Sequence, residues 1–199
     1  MKNRLLSRRG FASLAASAGL VSLAGPVLAR EEIDEITGPE AGRTTAKWRI
    51  SGLQARDRGE YFPSSRGGNA ILVVIDDRVL HYWGADGFYR IYPTSVPLSE
   101  EMTRRGRTEI VMKRPAPEWR PTPSMLRRNP NLPSYVGPGP DNPLGIRAMN
   151  LGWQYYLIHG TNDIRKIGRQ ASSGCIGMFN EHVVEIYDRT EIGTQVLVI

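Results

Sequence analysis

The sequence predicts a mainly β domain that carries one or two short helices and a long proline-rich loop. Three observations lead to that class. Apolar residues come in runs of four to six separated by Asp, Gly and Asn turns, the spacing of strands and hairpins. Nine prolines fall within residues 115–145, where locked φ angles and missing amide donors exclude regular sheet and a long helix. One segment, beginning at Asn180, sustains a helical stripe. With 199 residues, 40% of them hydrophobic, the chain is long enough to bury one core and too apolar to be disordered throughout.

Residues 1–29 read as a removable address. Lys2, Arg4, Arg8 and Arg9 all precede a short apolar stretch rich in Ala and Gly, which ends at Val27-Leu28-Ala29 with no acidic residue. That stretch is too short and too small in side chain for a membrane-spanning helix. Ser7-Arg8-Arg9-Gly10-Phe11 resembles the twin-arginine export signal, so the expected location is the periplasm. The whole chain has a net charge of +6, but removing those four basic residues leaves 22 basic against 20 acidic side chains, a net charge of +2. The basic excess belongs mostly to the address, and the electrostatic case for nucleic-acid binding goes with it. No transmembrane segment is expected in the mature chain.

Residues 30–68 are polar and sustain no period, as expected of an arm or linker lying over the domain. From Asn69 the pattern changes. Residues 71–75 and 79–83 are apolar runs on either side of Asp76-Asp77, a hairpin signal. A third strand is expected at 88–92 after Asp86-Gly87, and a fourth at 108–113, where residues alternate. The proline-rich segment 115–145 follows; a loop of that length inside a domain is usually functional or disordered. Strands are expected again at 146–151 and 155–158. The helix takes Asn180 as its cap, Val183, Val184 and Tyr187 as its apolar stripe and Glu185–Arg189 as an outward i,i+4 pair. A buried strand at 195–199 closes the chain.

Chemistry concentrates in residues 159–178. The single cysteine, Cys175, sits between Gly174 and Gly177, and His159 ends the strand at 155–158. A thiol with an ordinary pKa near 8.5 needs a partner base to attack at neutral pH, and a strand-end histidine can supply one. Backbone amides at Gly174 and Cys175 are candidate oxyanion donors. Other readings stand beside this one. A lone cysteine is more often a small buried hydrophobe, and a lone histidine more often a structural hydrogen-bonder. His159, Cys175 and His182 also make a conceivable zinc set, although no HExxH or CxxC pair supports it. His81 reads as a structural strand residue and His182 as incidental. Trp119, Tyr135 and Trp153 are candidates for stacking on a sugar or peptide, and equally for packing under the loop.

The segment from His159-Gly160-Thr161 to Ser172-Ser173-Gly174-Cys175-Ile176-Gly177-Met178 resembles the signature of the L,D-transpeptidase catalytic domain. In that signature HGT precedes an SxGC box with sixteen positions between His and Cys, as from 159 to 175 here. Residues 139–149 are similar to the family's approach to the HGT strand, and 115–138 to the lid-like insertion of exported proteobacterial members. The resemblance covers residues 69–199. It implies a β-sandwich-like catalytic fold with a proline-rich lid, acting without a cofactor or metal on the peptide stems of peptidoglycan. In it, Cys175 is the nucleophile, His159 the base, Gly160 the carbonyl that orients the imidazole, and Gly174 and Cys175 the oxyanion donors. Ser172, Ser173, Arg147 and Trp153 are the expected substrate-side residues. Attack on a tetrapeptide stem would expel D-alanine and leave a thioester. An amine would then take the acyl group, either on a neighbouring stem (a 3→3 link) or on a protein such as an outer-membrane acceptor; water or a free D-amino acid is also open. Gly177 departs from the family, which usually has Arg there, a residue able to hold a carboxylate or steady the loop. Arg147, Arg165 or Arg169 is the expected substitute. The alternative is a wall-binding scaffold that keeps the fold without turnover.

Overall fold

Residues 54–63 and 67–199 are described in the computed structural model, so the address at 1–29 and most of the arm lie outside the described residues. Ten strands follow one another: β1 (Ala70–Val74), β2 (Val79–Trp83), β3 (Tyr89–Pro93), β4 (Val96–Pro97), β5 (Gly106–Arg114), β6 (Ala148–Leu151), β7 (Leu157–His159), β8 (Gln170–Ser172), β9 (Ile176–Gly177) and β10 (Gln195–Val198). Three short helices join them: α1 (Arg58–Tyr61), α2 (Pro123–Arg128) and α3 (Asn180–Arg189). Eight strands pair in the order β3-β2-β1-β10-β5-β6-β7-β9, and β4 pairs with β8 in a small second sheet. Pairing is antiparallel except at β1–β10, β7–β9 and β4–β8. β5 carries the sheet across its middle, pairing β10 with one end and β6 with the other, and a register shift between Ile110 and Met112 marks a bulge there.

The run at 71–75 lacks polar alternation because both faces of β1 are covered. Ile71, Val73 and Ile75 join Leu80, Tyr82, Ile110, Met149, Ile158, Ile176 and Val196 in the main core. Ala70, Leu72 and Val74 face the other way, onto Phe62, Val79 and Trp83. The end of the arm supplies that cover. It forms one turn of helix, α1, where no helical period was expected, capped by the Asp57 carboxylate accepting from the Gly59 amide. Arg56 fastens it by donating to Asp77 at 3.1 Å and Tyr61 Oη at 2.7 Å, while its amide donates to Tyr89 Oη.

The helix that follows Phe179 starts one residue earlier than its sequence suggests. Phe179 is the cap and makes no side-chain bond, so Asn180 is the first helical residue and its amide is left for other partners. Val183 and Ile186 are the buried pair, with Val184 only half-buried. Among the described residues no helix is long and apolar enough to cross a membrane.

The proline-rich segment is ordered. Trp119 and Val136 exchange both backbone hydrogen bonds at 2.9 Å, and Trp119 packs with Leu144, Ala148 and Leu157. Prolines remove amide donors and so leave carbonyls without backbone partners. The fully buried Asn142 side chain answers them. Its Nδ2 donates to Pro117 O at 2.7 Å and Gly137 O at 2.9 Å, with Val136 O at 3.3 Å, and its Oδ1 accepts from the Leu144 amide at 2.8 Å.

His81 is a structural residue. It is wholly buried on the arm-covered face, stacked on Trp83 and Tyr89, with Nδ1 2.8 Å from Tyr89 Oη. Its Nε2 has no partner, and burial, with a smaller contribution from Arg56 against the opposing pull of Asp77, brings its pKa down to about 4. The unfolded chain therefore binds a proton between the ordinary histidine pKa near 6.5 and pH 4 that the folded chain refuses, so stability falls as pH drops through that window. For His81 the loss is on the order of 3 kcal/mol when complete. Thermal melts from pH 7 to pH 4 should show a steep decline in Tm. In His81→Gln the decline should be shallower but still present, because His159 and His182 are also depressed. An unchanged slope would contradict this account.

Candidate active site

Parallel pairing of β7 with β9 sets Ile158 beside Ile176 and His159 beside Gly177. Side chains alternate across a strand, so Ile158 and Ile176 point into the main core. Leu157, His159, Cys175 and Gly177 then share the opposite face, and Cys175 packs there with Leu157, Trp119, Leu144 and Met125. Cys175 and His159 are therefore diagonal neighbours on one sheet face.

His159 is oriented by its own chain. Its Nδ1 is bonded to the Gly160 carbonyl, and since a carbonyl only accepts, the ring hydrogen sits on Nδ1 and the Nε2 lone pair is left open. Burial lowers the His159 pKa to about 4; the Gly160 bond opposes the fall and the Lys166 charge adds to it. Burial likewise pushes the Cys175 thiol up to about 11, against a smaller lowering by the Leu157 amide. At neutral pH the pair is thiol and imidazole, both uncharged. The thiol donates to the Tyr155 carbonyl at 3.4 Å and makes no hydrogen bond to the imidazole. Tyr155 stands at the tip of the β6–β7 hairpin with φ +66°, uncommon for a residue with a side chain.

The box around the cysteine is tied to itself. Ser172 Oγ donates to Cys175 O at 2.5 Å, and the Gly174 amide reaches Ser172 Oγ at 3.3 Å. Gly174 has φ +133°, a conformation that favours glycine, and the Tyr156 ring lies 3.6 Å from where a Cβ would stand. Tyr156 Oη in turn donates to Met102 O at 3.0 Å.

Two expected substrate-side residues are engaged by neighbours, and Trp153 shares a small pocket with Gly174, Tyr156 and Leu157. Arg147 donates to the Pro115 and Ile146 carbonyls and stacks on Tyr187 of α3, held there by those two carbonyls and an aromatic face. Trp153 packs edge-on to Tyr156, with Arg104 5.0 Å above its ring, and lines a cavity of about 570 Å³ against Phe62 and Arg107. Of the remaining candidates, Arg165 is paired with Asp163 at 2.7 Å, and Ser173 accepts from Arg128 at 2.9 Å. His182 rests its edge on Tyr92 and Phe179, so it does not join His159 and Cys175 as a ligand set.

Asn180, read from sequence as a cap, holds the HGT turn. Its Oδ1 accepts from Thr161 N at 3.2 Å and Ile146 N at 3.4 Å, and its Nδ2 donates to Thr161 O at 3.0 Å. A Cβ at Gly160 or Gly145 would stand 2.2 Å from that Oδ1, which explains both glycines. Ser95 was also missed. It exchanges backbone bonds with Gly177 at 2.8 and 3.1 Å, and its Oγ lies 2.4 Å from where a Gly177 Cβ would stand, with His159 Cε1 3.8 Å from the same point. The side-chain space of residue 177 is filled by Ser95 and the imidazole. Both residues act across long sequence separations, and no local pattern announces them.

A family model for the L,D-transpeptidase catalytic domain matches residues 68–198. A putative L,D-transpeptidase from the ATP synthase subunits region of Fuscovulum blasticum is 45% identical over 196 residues, covering 98% of each chain. The probable L,D-transpeptidase ErfK/SrfK of Escherichia coli K12 is 35% identical over 135 residues, 65% of this chain and 43% of that protein, so this chain spans less than half of it. Among solved structures, L,D-transpeptidase 3 from Mycobacterium tuberculosis has a TM-score of 0.55 at 15% identity, covering 66% of this chain and 62% of its own. The L,D-transpeptidase from Xylanimonas cellulosilytica has a TM-score of 0.50 at 22% identity, covering 69% and 63%. At those identities the likeness is one of fold.

The Ser95–Gly177 contact makes a thermodynamic cycle informative. Gly177→Ala forces its methyl against Ser95 Oγ, and overpacking of that kind costs about 1–3 kcal/mol. Ser95→Ala removes the obstructing oxygen and leaves the Ser95 Cβ at an ordinary 3.7 Å. Denaturant unfolding of the two single variants and the double variant should give a destabilised Gly177→Ala that Ser95→Ala largely rescues, with a coupling of about 1 kcal/mol. Additive effects would show that the two side chains do not compete.

Proposed function

Because this chain belongs to the L,D-transpeptidase catalytic-domain family, we propose that it is a cysteine acyltransferase working on the peptide stems of peptidoglycan. The observation that supports the reading best is the shared sheet face of Cys175 and His159, with the imidazole hydrogen fixed on Nδ1 by Gly160. Cys175 Sγ turns from the Tyr155 carbonyl toward the substrate, passes its proton to His159 Nε2 and attacks the carbonyl of the third stem residue. The oxyanion is stabilised by backbone amides at Gly174 and Cys175. His159 then returns the proton to the departing D-alanine amine, leaving a thioester on Cys175. An incoming amine loses its proton to Nε2 as it attacks, the new amide forms, and the thiol is regenerated. With both groups neutral at rest, proton transfer accompanies carbon–sulfur bond formation, and no thiolate accumulates beforehand. The reading places the enzyme in the periplasm, delivered by the twin-arginine-type address at 1–29, with a stem amine, an outer-membrane protein amine or water as acceptor.

The test is incubation of the full chain with purified tetrapeptide-stem muropeptides, read by mass spectrometry, with Cys175→Ala as control. A dimer lighter than two monomers by one molecule of alanine, absent in the control, is the expected outcome. Tripeptide monomer would assign water as the acceptor, and identical spectra for the two proteins would favour the scaffold reading. A chelator should leave turnover intact, which separates this chemistry from that of a zinc hydrolase.

The raised thiol has its own signature. The iodoacetamide reaction rate at Cys175 should climb about tenfold per pH unit up to pH 10, where an ordinary thiol gains only about twofold above pH 8.5. A midpoint near pH 8.5 would mean that the site does not hold the thiol neutral.

A further inference from the structure

A cation outside the cysteine box stands at the cysteine loop. Arg128 ends α2 in the proline-rich segment, and its Nη2 donates to Ser173 Oγ, two residues before Cys175. The placement is built rather than incidental. Thr122 caps α2 through the Met125 amide, and Met125 packs into the apolar cluster that includes Cys175. Arg128 follows Met125 by three residues, so it lies on the same side of the helix and reaches the rim of the same site. It is exposed, and among the described residues no carboxylate pairs with it. Its observed partner is a neutral hydroxyl, which leaves the rest of the guanidinium fork open for a planar anion.

Resting on the acyltransferase reading above, we propose that Arg128 is the specificity-determining residue that binds a carboxylate of the acyl-donor stem. That carboxylate is either the one on the terminal D-alanine or the one on the side chain of the diamino acid at position three. Both offer the bidentate geometry that a hydroxyl lacks. Arg128 thereby performs from the lid the role that Gly177 cannot perform from the cysteine strand, where Ser95 occupies the space.

Binding tests this without requiring turnover. In the full chain carrying Cys175→Ala, calorimetric titration with an acidic tetrapeptide stem should give a Kd that Arg128→Gln weakens at least about tenfold, while Arg128→Lys recovers part of the loss. Amidating the correct carboxylate should weaken the parent to the same degree and abolish the difference between parent and Arg128→Gln. Amidating the terminal carboxylate and the position-three carboxylate separately identifies which one is bound. In the active protein, Arg128→Gln should raise KM for the acidic stem and leave the fall confined to kcat/KM. Equal affinities of parent and Arg128→Gln for every stem would overturn the assignment, as would a change in kcat with KM unmoved. Stem binding through Arg128 with no alanine released by the protein that retains Cys175 would overturn the catalytic reading alone, and a Cys175→Ala chain that binds no stem would overturn both.

Discussion

The pairing of β7 with β9 is the constraint on which the rest of the site depends, because two short strands have to bring together residues sixteen positions apart in the chain. Only two residue pairs define that register, and a slip by one would exchange the faces of every side chain on β9. Cys175 would then enter the main core and Ile176 would face the lid. Several features hold the register from outside the strands. Asn180 grips the turn after β7, Ser95 bridges Gly177 on the far side of β9, and Ser172 closes the loop that precedes Cys175. Each contact fixes backbone rather than the thiol or imidazole, so the geometry of the pair follows from the sheet edge on which it sits.

The proline-rich segment shows how a loop without regular structure is kept in place. Its prolines stiffen the chain but withdraw amide donors, and one buried asparagine answers carbonyls from three directions. Trp119 and Leu144 then bury the underside against Leu157 and Cys175. The segment is therefore part of the wall that removes water from the thiol, and the same desolvation raises the thiol pKa and lowers that of His159. Order in the lid and neutrality of the pair have one cause. Charge is kept out of the pocket and placed at its rim, where Lys166 and Arg128 lie.

Gly177 takes on a meaning that its neighbours in the sequence do not convey. Read alone, it is a missing arginine beside Cys175. In the folded chain Ser95 Oγ and the His159 ring converge on it, so a side chain there would displace one or the other. The loss of a side chain at 177 and the presence of a hydroxyl at 95 form one packing solution.

What was legible in the sequence was whatever is encoded over a few residues. The hairpin of β1 and β2, the strands at β5 and β10 and the helical stripe of α3 all follow from apolar period and turn residues, which are local properties. The resemblance of residues 159–178 likewise named His159 and Cys175 from spacing. Less legible was what each residue touches. Arg147 stacks on Tyr187 and Trp153 packs on Tyr156, contacts that closeness to the motif in sequence does not announce. Asn180 looked like a cap because an Asn before an apolar stripe has that local meaning, but the donors it serves are 19 and 34 residues away. Arg128 and Ser95 carried no signal at all, since each gains its significance from a contact made only after the chain has closed. The sequence by itself determined the strands and the chemical identity of the pair, because period and composition act along the chain. The tertiary structure decided which face the pair shares, what surrounds it and which cation stands beside it, because those depend on register and on contacts between distant segments.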